Sequence, residues 1–436
     1  MMEKLALTVA YLMLTGAVAI VLRPFRQASP VFWFPVALTV MALGTIVLID
    51  PRNNVDLLYI FLHFVAMISF VVPAFLYLQK CGIGNDLNRY KALPSTISGQ
   101  RARTVVLGIF ALCILITIIY YIAVGYNMMF LLLSDSVGSD YSDLRIASYS
   151  GDEYFAPGYV NQFKNILLPI STVCIAVWIH ESRNKLLFYG FLAMAIPFVV
   201  IALAGTGQRA FLVYTAAALS FGFILHNIGR RIRINPAIMA LIFGPILILF
   251  GIMTIPYYGR QGGDLGSLAA DILSRFTSIQ QDAALVGFHY VYTLDVVWFR
   301  DWAQALIGII PGQEGSRIAH EVHAIMYGSD RGTAPLSNVG SAYHNGGIVT
   351  VILLHAVMGW SYAGIYRRFL VGPRTIIRSI SYGFIFFYLT IFIGESPASL
   401  IDNGVLTAAL FLFLVSMVER RQQRSMARVG RVEGAG

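Results

Sequence analysis

The stretch that decides the fold is TVVLGIFALCILITIIYYIAV, residues 104–124, which contains no charged residue. A membrane-spanning helix needs roughly 20 predominantly apolar residues, and this run is long enough to supply one. Backbone polar groups find no partner in lipid, so an apolar run of this length predicts a helix rather than an open strand.

Ten other runs share this character, which gives eleven predicted spans. They cover residues 4–22, 31–49, 57–79, 104–124, 162–180, 186–204, 210–226, 237–256, 346–366, 379–394 and 404–418. The sequence therefore predicts an all-α polytopic membrane protein in which residues 1–436 form a single integral membrane domain.

The overall composition agrees with this class. The chain has 436 residues, of which 57% are hydrophobic and only 12% charged, whereas soluble domains average about 25% charged residues. This excludes an ordinary soluble enzyme, a disordered protein and a disulfide scaffold. The three cysteines show no CxxC or Cys/His spacing. Because neither GxxxxGK[ST] nor GxGxxG occurs in the sequence, an ATP-driven pump is disfavoured.

The net charge of +9 is distributed unequally between two sets of loops. One set and the C-terminal tail hold 21 of the 31 Lys and Arg residues but only 4 of the 22 acidic residues. The positive-inside rule assigns that set to the cytoplasm. The N-terminus is then outside, and the basic tail 419–436 is cytoplasmic. The basic excess is therefore a topology signal, and no nucleic-acid partner is expected.

Two sizeable loops fall on the other side, at 125–161 and at 257–345, between spans eight and nine. The second loop contains two apolar stretches, Ala283–Val297 and Trp302–Ile310, that are too short to span a membrane. They predict interfacial or re-entrant helices, the second ending at the Pro311-Gly312 turn. We expect the chemistry of the protein to lie on this outer side.

Two arginines in glycine-rich segments follow predicted spans on the outer side. Arg209 ends GTGQR, residues 205–209, and Arg260 lies in YYGRQGG, residues 257–263, beside Tyr258. Arginine binds phosphate oxygens in pairs, and glycine allows close approach of the backbone. The alternative interpretation is an interfacial turn whose arginine extends to the lipid headgroups.

Histidine and acidic candidates lie later in the chain. His344 belongs to NVGSAYHNGG, residues 338–347, immediately before a span, and is a candidate general base or a capping residue. Glu395 ends span ten, where an acid is either functional or part of an ion pair. Residues 315–344 also contain Arg317, His320, Glu321, His323 and Arg331. The His-Glu-x-His order there does not match the HExxH zinc motif, so no metal site is predicted, and a solvated helix or loop is the commoner interpretation.

Three segments resemble the O-antigen polymerase superfamily, the Wzy-like polymerases of oligosaccharide repeat units. They are GTGQRAF at 205–211, the long outer loop with an arginine near its start, and GSAYHNGG at 340–347. The related O-antigen ligases share the scheme of arginines plus a histidine. The resemblance implies a GT-C-like membrane glycosyltransferase with Arg209, Arg260, His344 and Glu395 as catalytic residues. It also implies substrate binding by Arg317, Arg331, His320 and Tyr258.

The implied substrate is an oligosaccharide linked to undecaprenyl diphosphate, polymerised at the outer face of the bacterial inner membrane. Arginines would stabilise the departing diphosphate without a metal or cofactor, and a base would take the proton of the acceptor hydroxyl. The product would be O-antigen of lipopolysaccharide, capsule or exopolysaccharide. The lipid bilayer and a chain-length regulator protein are the other implied partners.

Three alternatives remain open from the sequence. A ligase would transfer finished glycan to another acceptor. A transporter or flippase of lipid-linked sugars would show internal repeats and charges at mid-membrane depth, and the predicted spans are almost free of Asp, Glu, Lys and Arg. A structural subunit of an export complex is the third.

Overall fold

The computed structural model describes residues 2–26, 29–96, 99–134, 144, 157–228, 279–310, 312–330, 332–394 and 396–433. Within these ranges the regular structure is helical and includes no strand. The predicted all-α class is therefore confirmed for the described part of the chain. Predicted span eight, residues 237–256, lies outside the described residues.

The described α-helices are numbered here in chain order. They are α1 Met2–Leu22, α2 Pro30–Leu48, α3 Asn54–Lys80, α4 Ile83–Ala92, α5 Gln100–Val124, α6 Met128–Leu133, α7 Pro157–Asn161, α8 Leu168–Glu181, α9 Lys185–Ala204, α10 Arg209–His226, α11 Gln280–Tyr292, α12 Arg300–Ile307, α13 Ile318–Tyr327, α14 Asn338–His344, α15 Gly347–Val371, α16 Ile376–Ile391, α17 Ser399–Asp402 and α18 Val405–Glu433. A 3-10 turn, Arg23–Phe25, follows α1, and a π-helical segment, Gln162–Leu167, joins α7 to α8.

Seven helical segments in the described ranges are long and apolar enough to cross a membrane. They are Met2–Phe25, Pro30–Leu48, Asn54–Lys80, Gln100–Val124, Tyr159–Glu181, Lys185–Ala204 and Gly347–Val371. They coincide with predicted spans one to six and nine, for which the helical conformation and sufficient length are confirmed. Spans seven, ten and eleven correspond to shorter apolar helices, Ala210–His226, Ile376–Ile391 and Val405–Glu419. The helix of span eleven continues beyond the apolar part to Glu433.

Short helices occur where the sequence predicted them in the 257–345 loop. α11 and α12 fall within or next to Ala283–Val297 and Trp302–Ile310, and both are too short to span. The loop also contains α13 and α14, which the composition alone did not distinguish from irregular structure. The loop therefore positions its polar residues on defined helices.

The chain divides into two compact units. Unit 1 consists of Met1–Tyr90, Gly262–Gly372 and Tyr388–Leu400, and unit 2 of Lys91–Gln261, Pro373–Phe387 and Ile401–Gly436. The sequence had predicted a single domain.

Unit 1 is organised around the close pair of α3 and α15. Gly359 of α15 lies so near the Phe70 carbonyl of α3 that a Cβ there would be 2.1 Å from its oxygen. Small residues allow helices to approach in this way, as is common between membrane helices. The side chains of Phe34, Phe70 and Tyr362 pack together at this crossing. This packing fixes the position of α3, whose first turns contact α11 and α14.

Unit 2 contains a second close crossing, between α10 and α16. A Cβ on Gly383 would lie 2.4 Å from the Ala218 carbonyl, and one on Gly222 would lie 2.7 Å from the Ile380 Cα. In the same unit Arg374 is buried just before α16, and its guanidinium binds backbone carbonyls of four residues. The end of α10 and the segment after α4 are thereby joined.

Candidate functional site

The first two turns of α3 contact helices of the 257–345 loop in unit 1. The Asn53 side chain caps α3 by accepting a hydrogen bond of 2.9 Å from the Val55 amide. Asp56 lies in the first turn, where an acidic residue complements the positive end of the helix dipole. One turn later, Tyr59 stacks on Phe288 of α11 and shares a hydrogen bond of 2.5 Å with Ser337. α3 therefore contacts both α11 and the start of α14.

Asp56 and His289 form a carboxylate–imidazole pair. His289 Nε2 donates to Asp56 Oδ1 at 2.5 Å, while Asp56 Oδ2 accepts from the Asp50 amide at 2.6 Å. The Asp56 side chain is only 6% exposed, whereas that of His289 is 40% exposed. The carboxylate is thus fixed on both oxygens, and it orients the histidine ring. The sequence analysis did not identify either residue.

His289 opens into a groove of about 470 Å³ that is lined mostly by apolar atoms. The lining residues are Leu285, Val286, His289, Tyr290, Thr293 and Ile325. Beside the groove, the Tyr290 hydroxyl donates to Glu321 Oε2 at 3.0 Å. Burial and this carboxylate raise the pKa of Tyr290, so the phenol stays protonated at neutral pH. The groove combines an apolar floor with a few oriented polar groups, as ligand sites do.

α14 holds His344 at its last position. Ser337 caps this helix by accepting from the Gly340 amide at 3.1 Å, and the Asn338 amide group donates to the Phe392 carbonyl at 3.1 Å. His344 is buried, and its Nδ1 has no hydrogen-bond partner in the part of the chain that the structure describes. Burial lowers the pKa of His344, although Asp301 and Glu321 act in the opposite direction. The imidazole is therefore neutral at pH 7, as a proton acceptor must be.

A network of polar residues surrounds the end of α14. Asp301 accepts from the Ser316 hydroxyl through Oδ1 and from the Asn345 amide group at 3.3 Å through Oδ2. Trp302 donates through its indole to Ser341 Oγ at 2.8 Å and through its backbone to Asn345 Oδ1 at 3.2 Å. The network fastens the start of α12 to α14 and brings the Asp301 carboxylate towards His344.

The segment before α12 has a left-handed backbone at two non-glycine residues. Trp298 has φ 45° and Phe299 φ 65°, a conformation that costs energy for bulky side chains. The Val297 and Phe299 amides hold it in place by donating to the carbonyls of His344 and Asn345, at 3.1 and 3.0 Å. Both aromatic side chains remain exposed. Because backbone strain of this kind is often found at functional sites, it supports the surroundings of His344 as part of the candidate site.

The other predicted residues of the loop are more exposed. Arg317 pairs with Glu314 at 3.4 Å, with both side chains largely in solvent, so the pair contributes little stability. His320 Nδ1 lies 3.0 Å from the Asp330 carbonyl, and His323 Nδ1 lies 2.5 Å from the Ser329 carbonyl. In the described part of the chain no three His, Cys, Asp or Glu side chains are grouped to hold a metal.

The GTGQR segment forms a tight turn in unit 2. Gly207 has φ 75°, the Met128 amide donates to the Gly205 carbonyl at 2.8 Å, and α10 begins at Arg209. A Cβ on Gly205 would lie 2.1 Å from the Tyr121 hydroxyl, so glycine is required there. The predicted turn before Arg209 is therefore present. The Arg209 side chain itself lies outside the described residues.

Lys164 is buried close to the same turn, and the sequence analysis did not single it out. It lies in the π-helical segment, is completely buried, and donates to the Ala202 carbonyl at 3.1 Å. Its ammonium also lies over the rings of Tyr120 and Tyr121, at 5.6 and 6.0 Å. Among the described residues it has no acidic partner. One lysine inside an otherwise apolar run was the available signal.

Two further histidines lie inside long apolar helices of unit 1. Within the described residues, His63 of α3 is fully buried with neither ring nitrogen bonded, and His355 of α15 is fully buried with Nε2 unbonded. His355 Nδ1 contacts the Val351 carbonyl at 2.8 Å. From the sequence alone no chemistry is assigned to them, because histidines in such positions are more often packed or interfacial residues.

The eight predicted site residues are therefore distributed as follows. His344, His320 and Arg317 lie in unit 1, and Arg209 begins a helix of unit 2. Tyr258, Arg260, Arg331 and Glu395 lie outside the described residues. The arrangement within unit 1 adds His289, Asp56 and Asp301 to the candidates.

Comparisons with protein-family models, curated proteins and solved structures found no match to this chain. Functional proposals for this protein consequently depend on its own residues and their geometry.

Proposed function

We propose that this protein is a metal-independent membrane glycosyltransferase that polymerises oligosaccharide units carried on undecaprenyl diphosphate. The observation that carries the proposal is the docking of two histidine-bearing helices, α11 and α14, on the first turns of α3. Glycosyl transfer to a hydroxyl needs a proton acceptor, and histidine suits this role near neutral pH. His289 and His344 are the two candidates that this arrangement supplies.

The proposal includes a topology with eleven spans, a GT-C-like arrangement and a location in a bacterial inner membrane. The N-terminus is outside and the C-terminus cytoplasmic. Asp56 follows the loop between the second and third predicted spans, which the positive-inside rule places on the same outer side as the 257–345 loop. The pair of Asp56 with His289 agrees with that assignment, since two groups in contact must lie on one side.

The leaving group in this reaction is a lipid diphosphate, on which negative charge develops. Arg209, Arg260, Arg317 and Arg331 are the proposed stabilising and binding cations, with Glu395, His320 and Tyr258 as further groups at the outer face. Preorganised donors aimed at developing charge supply a large part of enzymatic rate enhancement. The tight turn before Arg209 supports its role by fixing where the arginine leaves the backbone.

A transporter of lipid-linked sugars is the second candidate function. The observation that favours it is the buried, incompletely bonded pair of His63 and His355 inside two candidate spans. Ionisable groups at such depth often belong to a transport or proton pathway. The enzyme remains the better-supported proposal because the oriented histidine His289 faces an open groove.

The test uses purified full-length protein in lipid vesicles, supplied with the undecaprenyl-diphosphate-linked oligosaccharide, EDTA and no nucleotide. A ladder of products with increasing repeat number is expected. Product formed only after addition of a separate glycan acceptor would indicate a ligase. Movement of the substrate across the bilayer without a new glycosidic bond would indicate a transporter, and either result would overturn the polymerase.

Arginine variants sharpen this test. Arg209→Ala is expected to shorten or abolish the ladder at normal expression, whereas Arg101→Ala, at an exposed position of α5, is the matched control. A ladder of unchanged length and rate from Arg209→Ala would exclude the proposed role of this arginine.

A further inference from the structure

We infer that His289 is the proton acceptor for the sugar hydroxyl and that Asp56 is its positioning residue. This inference rests on the proposed function, because it names the base of that reaction. The geometry is that of a histidine that is oriented by a carboxylate and that lines a groove. The same logic, a base held by a third group, recurs in hydrolases of unrelated folds.

The hydrogen bonds of Asp56 fix the orientation of the His289 ring. Oδ2 accepts from the Asp50 amide and Oδ1 from His289 Nε2, so both oxygens are engaged. Because Nε2 carries the proton given to Asp56, Nδ1 of a neutral ring is a lone-pair acceptor. Nδ1 has no hydrogen bond within the described residues, and the side chain is 40% exposed. A substrate hydroxyl in the groove can therefore reach it.

A purely structural pair would not require this opening. The stacking of Tyr59 on Phe288, with ring centroids 4.5 Å apart, already attaches α11 to α3 one turn away. A buried carboxylate that serves only as an attachment would also cost desolvation energy without further benefit. The open side of His289 is thus better explained by chemistry than by packing.

His344 is less suited to the same task. It is only 4% exposed, its Nδ1 is buried without a partner, and no described side chain makes a hydrogen bond that fixes its ring. Asp301, the nearby carboxylate, is already engaged by Ser316 and Asn345. His344 therefore lacks both the orienting bond and the access that His289 has.

The groove suits a sugar acceptor. Its volume of about 470 Å³ falls in the range of small-molecule sites. Tyr290 and Ile325 offer apolar surfaces for the C–H face of a sugar ring, and the carboxylate of Glu321 beside them can accept hydrogen bonds from sugar hydroxyls. The inferred ligand class is thus a lipid-linked glycan that presents a free hydroxyl.

The proton and electron pairs of the step balance without another reagent. The acceptor hydroxyl oxygen forms a bond to the anomeric carbon and gives its proton to His289 Nδ1. The bond between the anomeric carbon and the phosphate oxygen breaks, and the lipid diphosphate leaves with the electron pair. Asp56 stabilises the imidazolium, which later releases the proton to water.

The closing experiment compares His289→Gln, Asp56→Asn and His344→Gln in the vesicle assay. Glutamine retains a side-chain N–H for Asp56 but cannot accept the proton, so His289→Gln should fold and lose at least 100-fold in rate. Asp56→Asn should lower the rate, because a neutral amide no longer stabilises the imidazolium that forms in the step. His180→Gln, exposed at the end of α8, is the matched control.

A second measurement needs no turnover. Diethyl pyrocarbonate acylates unprotonated imidazole nitrogens, and peptide mass spectrometry gives the rate at each histidine. On the high-pH plateau of the labelling rate, His289 should react several-fold more slowly in Asp56→Asn, because the hydrogen bond to a carboxylate makes the neutral ring a stronger nucleophile. The rate at His180 should be unchanged. An equal rate at His289 in both proteins would overturn the activation by Asp56.

The outcomes separate the two proposals. A ladder from wild-type protein that survives His289→Gln but not His344→Gln overturns the inference and leaves the proposed function intact. No ladder from wild-type protein overturns the proposed function, and the labelling rates still decide whether Asp56 activates His289. Asp56→Glu, which retains the carboxylate, should recover part of the labelling rate if Asp56→Asn folds poorly.

Discussion

Replacing Arg374 with alanine should strongly destabilise unit 2. The guanidinium donates to the His226 carbonyl at 2.8 Å, the Ile228 carbonyl at 2.5 Å, and the Leu93 and Lys91 carbonyls at 3.2 and 3.3 Å. The side chain is almost fully buried, so water cannot readily take its place. A hydrogen bond to a charged group contributes about 1.5–3 kcal/mol.

The two shorter bonds alone thus give a loss of roughly 3–6 kcal/mol, which overlaps the loss of about 3–5 kcal/mol typical of breaking a buried charged pair. Urea unfolding in detergent measures this loss, and with an m-value of at most about 3 kcal/mol/M the midpoint should fall by at least about 1 M. Arg374→Lys should recover less than half, because an ammonium cannot reach carbonyls on several sides. Arg101→Ala, at an exposed site, should change stability by no more than about 0.5 kcal/mol. A loss below about 1 kcal/mol for Arg374→Ala would refute the bridging role.

Three other substitutions test the packing and charge of the two units. In urea titrations, Gly359→Ala should lower the free energy of unfolding by about 1–3 kcal/mol, because its Cβ would lie 2.1 Å from the Phe70 carbonyl oxygen. Gly190→Ala, at a position with open space around it, is the control and should leave the free energy of unfolding unchanged. Burial lowers the pKa of His344, so the unfolded chain binds the proton at a higher pH than the folded chain does, and the free energy of unfolding falls as the pH drops below about 6.5. When unfolding is measured from pH 8 to 5, His344→Gln should reduce that fall. An identical pH profile in the variant would contradict the lowered pKa. Lys164→Met should leave thermal stability unchanged or higher, because the desolvation cost of a buried ammonium exceeds the value of one carbonyl bond; a marked drop in melting temperature would show that the lysine is structural.

The long apolar helices were predictable because lipid leaves a long apolar run no alternative to a helix. Residues 104–124 predict α5, and the same argument predicts the six other candidate spans. The shorter apolar helices were predicted by position, and the boundaries of α16 shifted by three residues because Ile376 to Ser379 also fit a helix. The short loop helices α11 and α12 followed from apolar stretches bounded by charges.

The site itself was only partly predictable, because its decisive contacts join distant positions. Asp56 and His289 are 233 residues apart, and Asp56 taken alone is an ordinary acid in the first turn of a helix. His344 was identified because glycines and a span follow it directly. Arg374 was counted only as a cytoplasmic charge, although its contacts show a structural role.

The extent to which each buried polar group is bonded distinguishes structural roles from chemical ones. Arg374 directs its donors to four carbonyls, and little of its bonding capacity remains for a ligand. His289 uses one ring nitrogen on a fixed carboxylate, and its side chain is 40% exposed and lines a groove. Lys164 contacts one carbonyl and two aromatic rings, with no acid among the described residues. Because an incompletely bonded group costs stability, its retention is better explained by a ligand or a proton that completes its bonding. On this criterion His289 ranks first, since it combines an unbonded ring nitrogen with a position on an accessible groove.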